Sequence, residues 1–153
     1  VKLTGGGLCH CDNHLVTGDM PMNLPVVGGH EGAGVAADVG PCATEVVVGD
    51  HVVLSFIPAC CRCRPRARGM SKLCEYRAAI MAGPQLDGTR FHGRGQDIGQ
   101  MCVLGTISEY TVVPILSLVK VDKDVPLDKA ALVGCGVTTG YGAAARTGET
   151  EDG

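Results

Sequence analysis

Apolar residues come in short runs that Gly and Pro keep interrupting. Gly32 to Val39 and His51 to Ile57 predict strands, the first bounded by Gly28-Gly29 and Gly40-Pro41, the second by Gly49-Asp50 and Pro58. Residues 58–77 form a lobe rich in Cys and Arg and poor in aliphatics, and Met81 to Gly99 reads as a long irregular loop. At 107–113, Ile107, Glu109, Thr111 and Val113 alternate with Ser108, Tyr110 and Val112, which predicts an edge-like strand, and Leu118 to Val121 continues the β character. Pro126-Leu-Asp-Lys-Ala-Ala-Leu-Val opens like a helix, with Pro in its first turn and an acid close behind. A second short helix is expected from about Thr138 to Arg146. The predicted chain is mostly β (α+β), with its short helices at the end.

Composition narrows this. The chain has 153 residues, a length suited to one domain of ~150 residues. Hydrophobic residues at 45% and charged residues at 19% exclude a disordered chain. There is no Trp, with two Phe and three Tyr, while 23 residues are Gly, about twice the usual ~7%. Such a chain suits short strands and tight turns. A formal charge of −3 gives no global pull toward nucleic acid or acidic membranes. The longest uncharged stretch, Ala130 to Ala145, is Gly-rich and shorter than the ~18 apolar residues of a membrane span. Val1-Lys2-Leu3 carries neither an initiator Met nor a secretory pattern, so a processed start or a piece of a longer chain is expected. Nine cysteines cannot all pair, and without a secretory signal they read as metal ligands in a reducing cytoplasm.

Three Gly-flanked donors stand out: Cys9 in Gly7-Leu-Cys-His-Cys-Asp-Asn-His14, His30 in Gly28-Gly-His-Glu-Gly-Ala-Gly34, and Cys135 in Val133-Gly-Cys-Gly-Val-Thr-Thr-Gly140. Neighbouring Gly lets backbone approach a metal closely. A Cys₂His set suits catalytic zinc, because three protein ligands leave the fourth tetrahedral position open. Against this, a buried Cys taken singly is commonly just a small hydrophobe.

Gly29-His-Glu-Gly-Ala-Gly34 with Gly40, Gly7-Leu-Cys-His10, Gly49-Asp-His-Val-Val53 and Gly134-Cys-Gly-Val-Thr-Thr-Gly-Tyr-Gly142 resemble, in order and spacing, the zinc-dependent medium-chain alcohol dehydrogenases. Ser55-Phe-Ile-Pro-Ala-Cys60 and Phe91-His-Gly-Arg-Gly-Gln-Asp-Ile-Gly-Gln-Met101 resemble the bacterial branch assayed with nitrosodimethylaniline. The resemblance implies a GroES-like, partly open β-barrel that is the catalytic domain over 1–153, truncated at both ends and lacking the Rossmann domain. It implies Cys9, His30 and Cys135 as catalytic zinc ligands, Asp12 as the carboxylate orienting His30, and Glu31 behind the metal, easing ligand exchange. His14 would end a proton relay, and Thr139 and His10 would lie at the NAD nicotinamide. The activity implied is NAD-dependent alcohol–aldehyde interconversion, inactive in this chain alone. The implied partners are a small alcohol or aldehyde and, at full length, further copies in a homo-oligomer, with no nucleic acid and no membrane.

Two departures matter. Where the family has Ser or Thr two residues after the first zinc Cys, this chain has Cys11, so either a weakened relay or a fourth thiolate ligand is expected. In the 58–77 lobe, which resembles the family's four-cysteine structural-zinc loop, Cys60, Cys63 and Cys74 are present but Arg66 holds the remaining place. Structural zinc is therefore expected to be weak or missing, with Cys61 the candidate substitute. The alternating Arg62, Arg64, Arg66 and Arg68 read as a solvated basic loop, since neither a second Cys-x₂-Cys pair nor interleaved aromatics accompany them. Gly32-Ala-Gly-Val-Ala-Ala37 and Gly140-Tyr-Gly-Ala-Ala-Ala145 fit G-x-G-x-x-A but lack the βαβ context of a dinucleotide site. The alternatives are a thiol-dependent formaldehyde dehydrogenase relative and a non-enzymatic GroES-like interaction module. Stoichiometric zinc would separate the module from either enzyme.

Overall fold

The computed structural model describes residues 1–148, excepting the side chains of Arg66, Ser71 and Ala79; residues 149–153, which the expected 1–153 domain includes, lie outside the described residues. Among the described residues seven strands form two sheets. The larger sheet contains β1 (Lys2–Gly7), β3 (Glu31–Val35), β4 (His51–Leu54) and β7 (Leu118–Val121), in that order and antiparallel throughout. The smaller contains β2 (Val26–Val27), parallel to β6 (Gln96–Gln100), which pairs antiparallel with β5 (Phe91–Gly93). The four helices α1 (His10–Thr17), α2 (Arg64–Ala67), α3 (Leu127–Ala130) and α4 (Gly136–Gly142) are short. The mostly-β reading holds. Among the described residues the strands do not close into a barrel, and neither a doubly wound parallel sheet nor a helix long and apolar enough to cross a membrane occurs.

β4 holds the core together. Its registers Gly32↔Leu54 and Val35↔His51 on one side, and His51↔Val121 and Leu54↔Leu118 on the other, make it a central strand. Successive side chains leave a strand on opposite faces. Val53 therefore packs with Ala33, Leu127, Ala130 and Ala131 beneath α3, while Val52 and Leu54 pack with Ala36, Val46 and Leu104 on the other face. Leu54 is fully buried, a contribution of roughly 1.5–3 kcal/mol from its side chain. α3 follows Pro126, whose carbonyl accepts from the Lys129 and Ala130 N–H groups. It passes through a 3₁₀ turn (Ala131–Gly134) to Cys135, from which α4 departs and ends in a π turn (Ala143–Thr147).

Several sequence expectations are corrected. β3 and β4 end at Val35 and Leu54, short of Val39 and Ile57. Part of the expected irregular loop 81–99 is the β5–β6 hairpin, turning at Arg94 (φ 52°) and Gly95 (φ 78°). Two positive φ values mark the tight turn that matches strand twist, and Arg-Gly is not its usual sequence signal. The 107–113 strand is reduced to one bridge, Lys2↔Tyr110. Its backbone donors go to separate partners: Ile107 N–H to Gly28 O (3.0 Å) and Thr111 N–H to Val1 O (3.0 Å), so no continuous ladder forms. β1 and α1 are additions. Three glycines weaken the strand signal of β1, and α1 is a polar eight-residue helix recognisable mainly by Asp12 in its first turn and Gly18 as its αL cap.

Candidate metal centre

Three chain segments that are distant in sequence meet beside the larger sheet. Cys9 stands immediately before α1, His30 and Glu31 stand where β3 begins, and Cys135 lies between the 3₁₀ turn and α4. One ligand atom from each of these four residues lies within 4.8 Å of all the others. His30, Glu31 and Cys135 are buried and Cys9 is half-buried.

Asp12 ties two of the segments together. Its Oδ2 accepts the Cys9 N–H at 2.9 Å, and its Oδ1 accepts the Gly29 N–H at 2.9 Å. Its Oδ2 also lies 3.8 Å from His30 Nδ1, which has no hydrogen-bond partner although it is buried. Gly29 adopts φ +89°, and a Cβ there would meet Thr106 and the Ile107 backbone nitrogen, so this approach requires Gly. The edge of the His30 ring meets Phe56 at a centroid distance of 5.6 Å.

Glu31 closes the third side. Its Oε1 accepts the Gly136 N–H at 2.9 Å, across 105 residues of sequence, and its other oxygen lies over Gly7, where any side chain would collide with it. Burial pushes the Cys135 thiol up to about 11, opposed by its contact with Thr139 Oγ1 at 3.9 Å and reinforced by Cys9 and Glu31. Two sulfurs, an imidazole and a carboxylate crowded together fit a borderline-soft divalent cation, which favours thiolate over thiol.

Residues 1–123 match the alcohol dehydrogenase GroES-like domain. The chain belongs to that family. It is 49% identical over 156 residues to alcohol dehydrogenase B of Mycobacterium tuberculosis (strain ATCC 25618 / H37Rv), covering 100% of this chain and 42% of that protein. It is 54% identical over 145 residues to the NDMA-dependent alcohol dehydrogenase of Amycolatopsis methanolica, covering 94% and 39%. The crystal structure of an alcohol dehydrogenase zinc-binding domain protein from Burkholderia ambifaria superposes with a TM-score of 0.87 at 34% identity, over 100% of this chain and 42% of that one. This GroES-like chain thus spans about two fifths of the length of the dehydrogenases it matches.

Within the GroES-like framework the remaining predicted residues separate. Cys11 lies beside Cys9 and is held above the usual thiol range by burial and by that neighbour, but it is outside the four-residue donor group. Glu31, and not Cys11, shares that 4.8 Å group with Cys9, His30 and Cys135. His10 and His14 meet edge to face at 4.5 Å on α1, with His14 Nδ1 3.3 Å from Asp19 Oδ2. Thr139 is exposed one turn along from Cys135. The Gly136 and Phe56 contacts escaped sequence reasoning, because neither residue type signals a ligand partner.

The 58–77 lobe holds a second group. The sulfurs of Cys60, Cys63 and Cys74 lie within 4.8 Å of one another, all three residues are buried, and Leu116 packs against them. The Cys60 N–H donates to Cys74 Sγ at 3.5 Å. The Arg62 N–H draws the Cys60 thiol down to about 7, while burial raises that of Cys74. The Arg66 side chain lies outside the described residues.

Proposed function

We propose that this chain is the zinc-holding part of an NAD-dependent alcohol dehydrogenase acting on a small alcohol or aldehyde. The observation that carries the reading is the meeting of Cys9, His30 and Cys135, with Glu31, inside one 4.8 Å group. Two thiolates and an imidazole are the donor set that leaves zinc an open position. Zinc held there would supply Lewis acidity toward an alcohol oxygen.

The chain's own residues do the positioning. Asp12 stands on the Nδ1 side of the His30 ring, where it can orient it, and fixes Cys9 and Gly29 through their N–H groups. The Gly136 N–H holds the Glu31 carboxylate, for which the absence of a side chain at Gly7 leaves room, where it can ease ligand exchange. Cys11 stands where the family resemblance places a hydroxyl, and its thiol is a poorer proton carrier toward His14. Thr139 and His10, on the exposed surface near the donors, are the residues assigned to the nicotinamide that accepts hydride. Nine free cysteines suit a reducing cytoplasm.

Metal analysis of the purified chain tests the reading. Zinc at this site should be retained through dialysis and lost in Cys135→Ala and His30→Ala. Retention of the same zinc in both variants would refute it.

A further inference from the structure

The pocket at Cys60, Cys63 and Cys74 departs from the four-cysteine zinc loop that the family resemblance implies. Among the described residues only these three donors form the group, and no His or carboxylate joins them. Cys61, the sequence candidate for the fourth place, is exposed with φ 58°, and its thiol donates to the Ala59 carbonyl at 3.6 Å. A closed structural zinc takes four protein ligands. Here its fourth ligand would have to be a water inside a buried pocket covered by Leu116.

Three convergent sulfurs instead satisfy a soft monovalent d¹⁰ cation, which binds thiolates and accepts low coordination numbers. The basic composition of the lobe is compatible with the residual negative charge of such a complex. Three thiolates and one monovalent cation carry a net charge of −2 by simple addition. Residues 58–77 supply five Arg and one Lys against the single acid Glu75, a formal surplus of five positive charges. We propose that the Cys60–Cys63–Cys74 pocket is a three-sulfur site for a cation of the copper(I) class rather than a structural zinc site. On binding, the three thiols release their protons to solvent and no electron is transferred.

The proposal stands apart from the alcohol dehydrogenase reading, because it concerns different donors. The reduced chain is loaded with zinc, dialysed against nitrilotriacetate and analysed for metal. It is then titrated anaerobically with copper(I) bicinchoninate, and X-ray absorption is recorded at both metal edges. The expected result is one zinc per chain, lost in Cys135→Ser, and one copper(I) with three sulfur neighbours, taken up while that zinc stays and also taken up by the Cys135→Ser variant. Cys63→Ser should abolish this copper uptake. Arg66→Cys, which restores the family's fourth cysteine without removing a thiol from the pocket, should gain a second zinc with four sulfur neighbours. The proposal is overturned if the unaltered chain holds two zinc ions through dialysis. It is equally overturned if copper enters only by expelling the first zinc, or if Arg66→Cys gains none.

Discussion

Asp12→Ala removes the group that links Cys9, Gly29 and His30. In the folded chain the carboxylate accepts from the Cys9 and Gly29 N–H groups at 2.9 Å each. Alanine leaves both donors without that acceptor, Asp12 itself being 4% exposed, Gly29 buried and Cys9 half-buried. A buried donor stripped of its acceptor costs about 1–3 kcal/mol, which applies in full to the buried Gly29 bond and only in part to the half-buried Cys9 bond, so the loss is roughly 1–4 kcal/mol. That is an appreciable part of the ~5–15 kcal/mol that holds an ordinary domain folded. α1 cannot absorb the loss, since a polar helix of eight residues has little stability of its own. Urea unfolding in chelator reads the hydrogen-bond cost alone, and repeating it at saturating zinc reads the coupling to His30. Zinc affinity should also fall by about 10–100-fold, the usual effect of removing a carboxylate behind a ligand histidine. Asp12→Asn presents one acceptor oxygen and one amide, so it should recover no more than half of the stability. A loss below ~1 kcal/mol in chelator would refute the reasoning, because it would mean that water replaces both hydrogen bonds at no cost.

Gly29→Ala forces a Cβ residue to φ +89° and into the Ile107 nitrogen at 2.7 Å. The left-handed conformation alone costs about 1–2 kcal/mol, so a thermal melt should show a clear drop in Tm. Zinc at ~100 times its Kd should stabilise the unaltered chain by about 2.7 kcal/mol, and His30→Ala not at all, in parallel urea titrations. The Asp50 carboxyl is held below the usual carboxylate range by Lys120 Nζ at 2.8 Å and the Val47 N–H at 2.9 Å. Its contribution is present above the unfolded value of ~3.9 and lost as pH falls through the lower folded value, so Asp50→Asn should flatten the loss of urea midpoint below about pH 4. In a full-length protein with the proposed dehydrogenase function, Cys11→Ser should raise alcohol turnover, and an unchanged rate would reject the thiol as the weak point of proton transfer.

Local pattern was enough for the elements whose signals lie within a few residues. Val52, Val53 and Leu54 between Gly49-Asp50 and Pro58 read as a buried strand, and Pro126 with Asp128 read as a helix start, because sterics and hydrogen bonding to near neighbours decide both. The Gly-flanked Cys9, His30 and Cys135 were legible as candidate ligands from motif resemblance. What sequence could not supply was any contact set by the register of distant strands. β1, with its three glycines, exists because it pairs with β3, and the alternating 107–113 segment fails as a strand because its Ile107 and Thr111 donors are taken by Gly28 and Val1. Glu31 meets Gly136 across 105 residues, a pairing without any local trace. The sequence by itself determined which donors exist and how soft they are. Only the tertiary structure decided that Cys11 and Cys61 stay outside the donor groups while Glu31 enters one, because a side chain's chemistry is local but the point where several of them meet is set by how strands and helices pack.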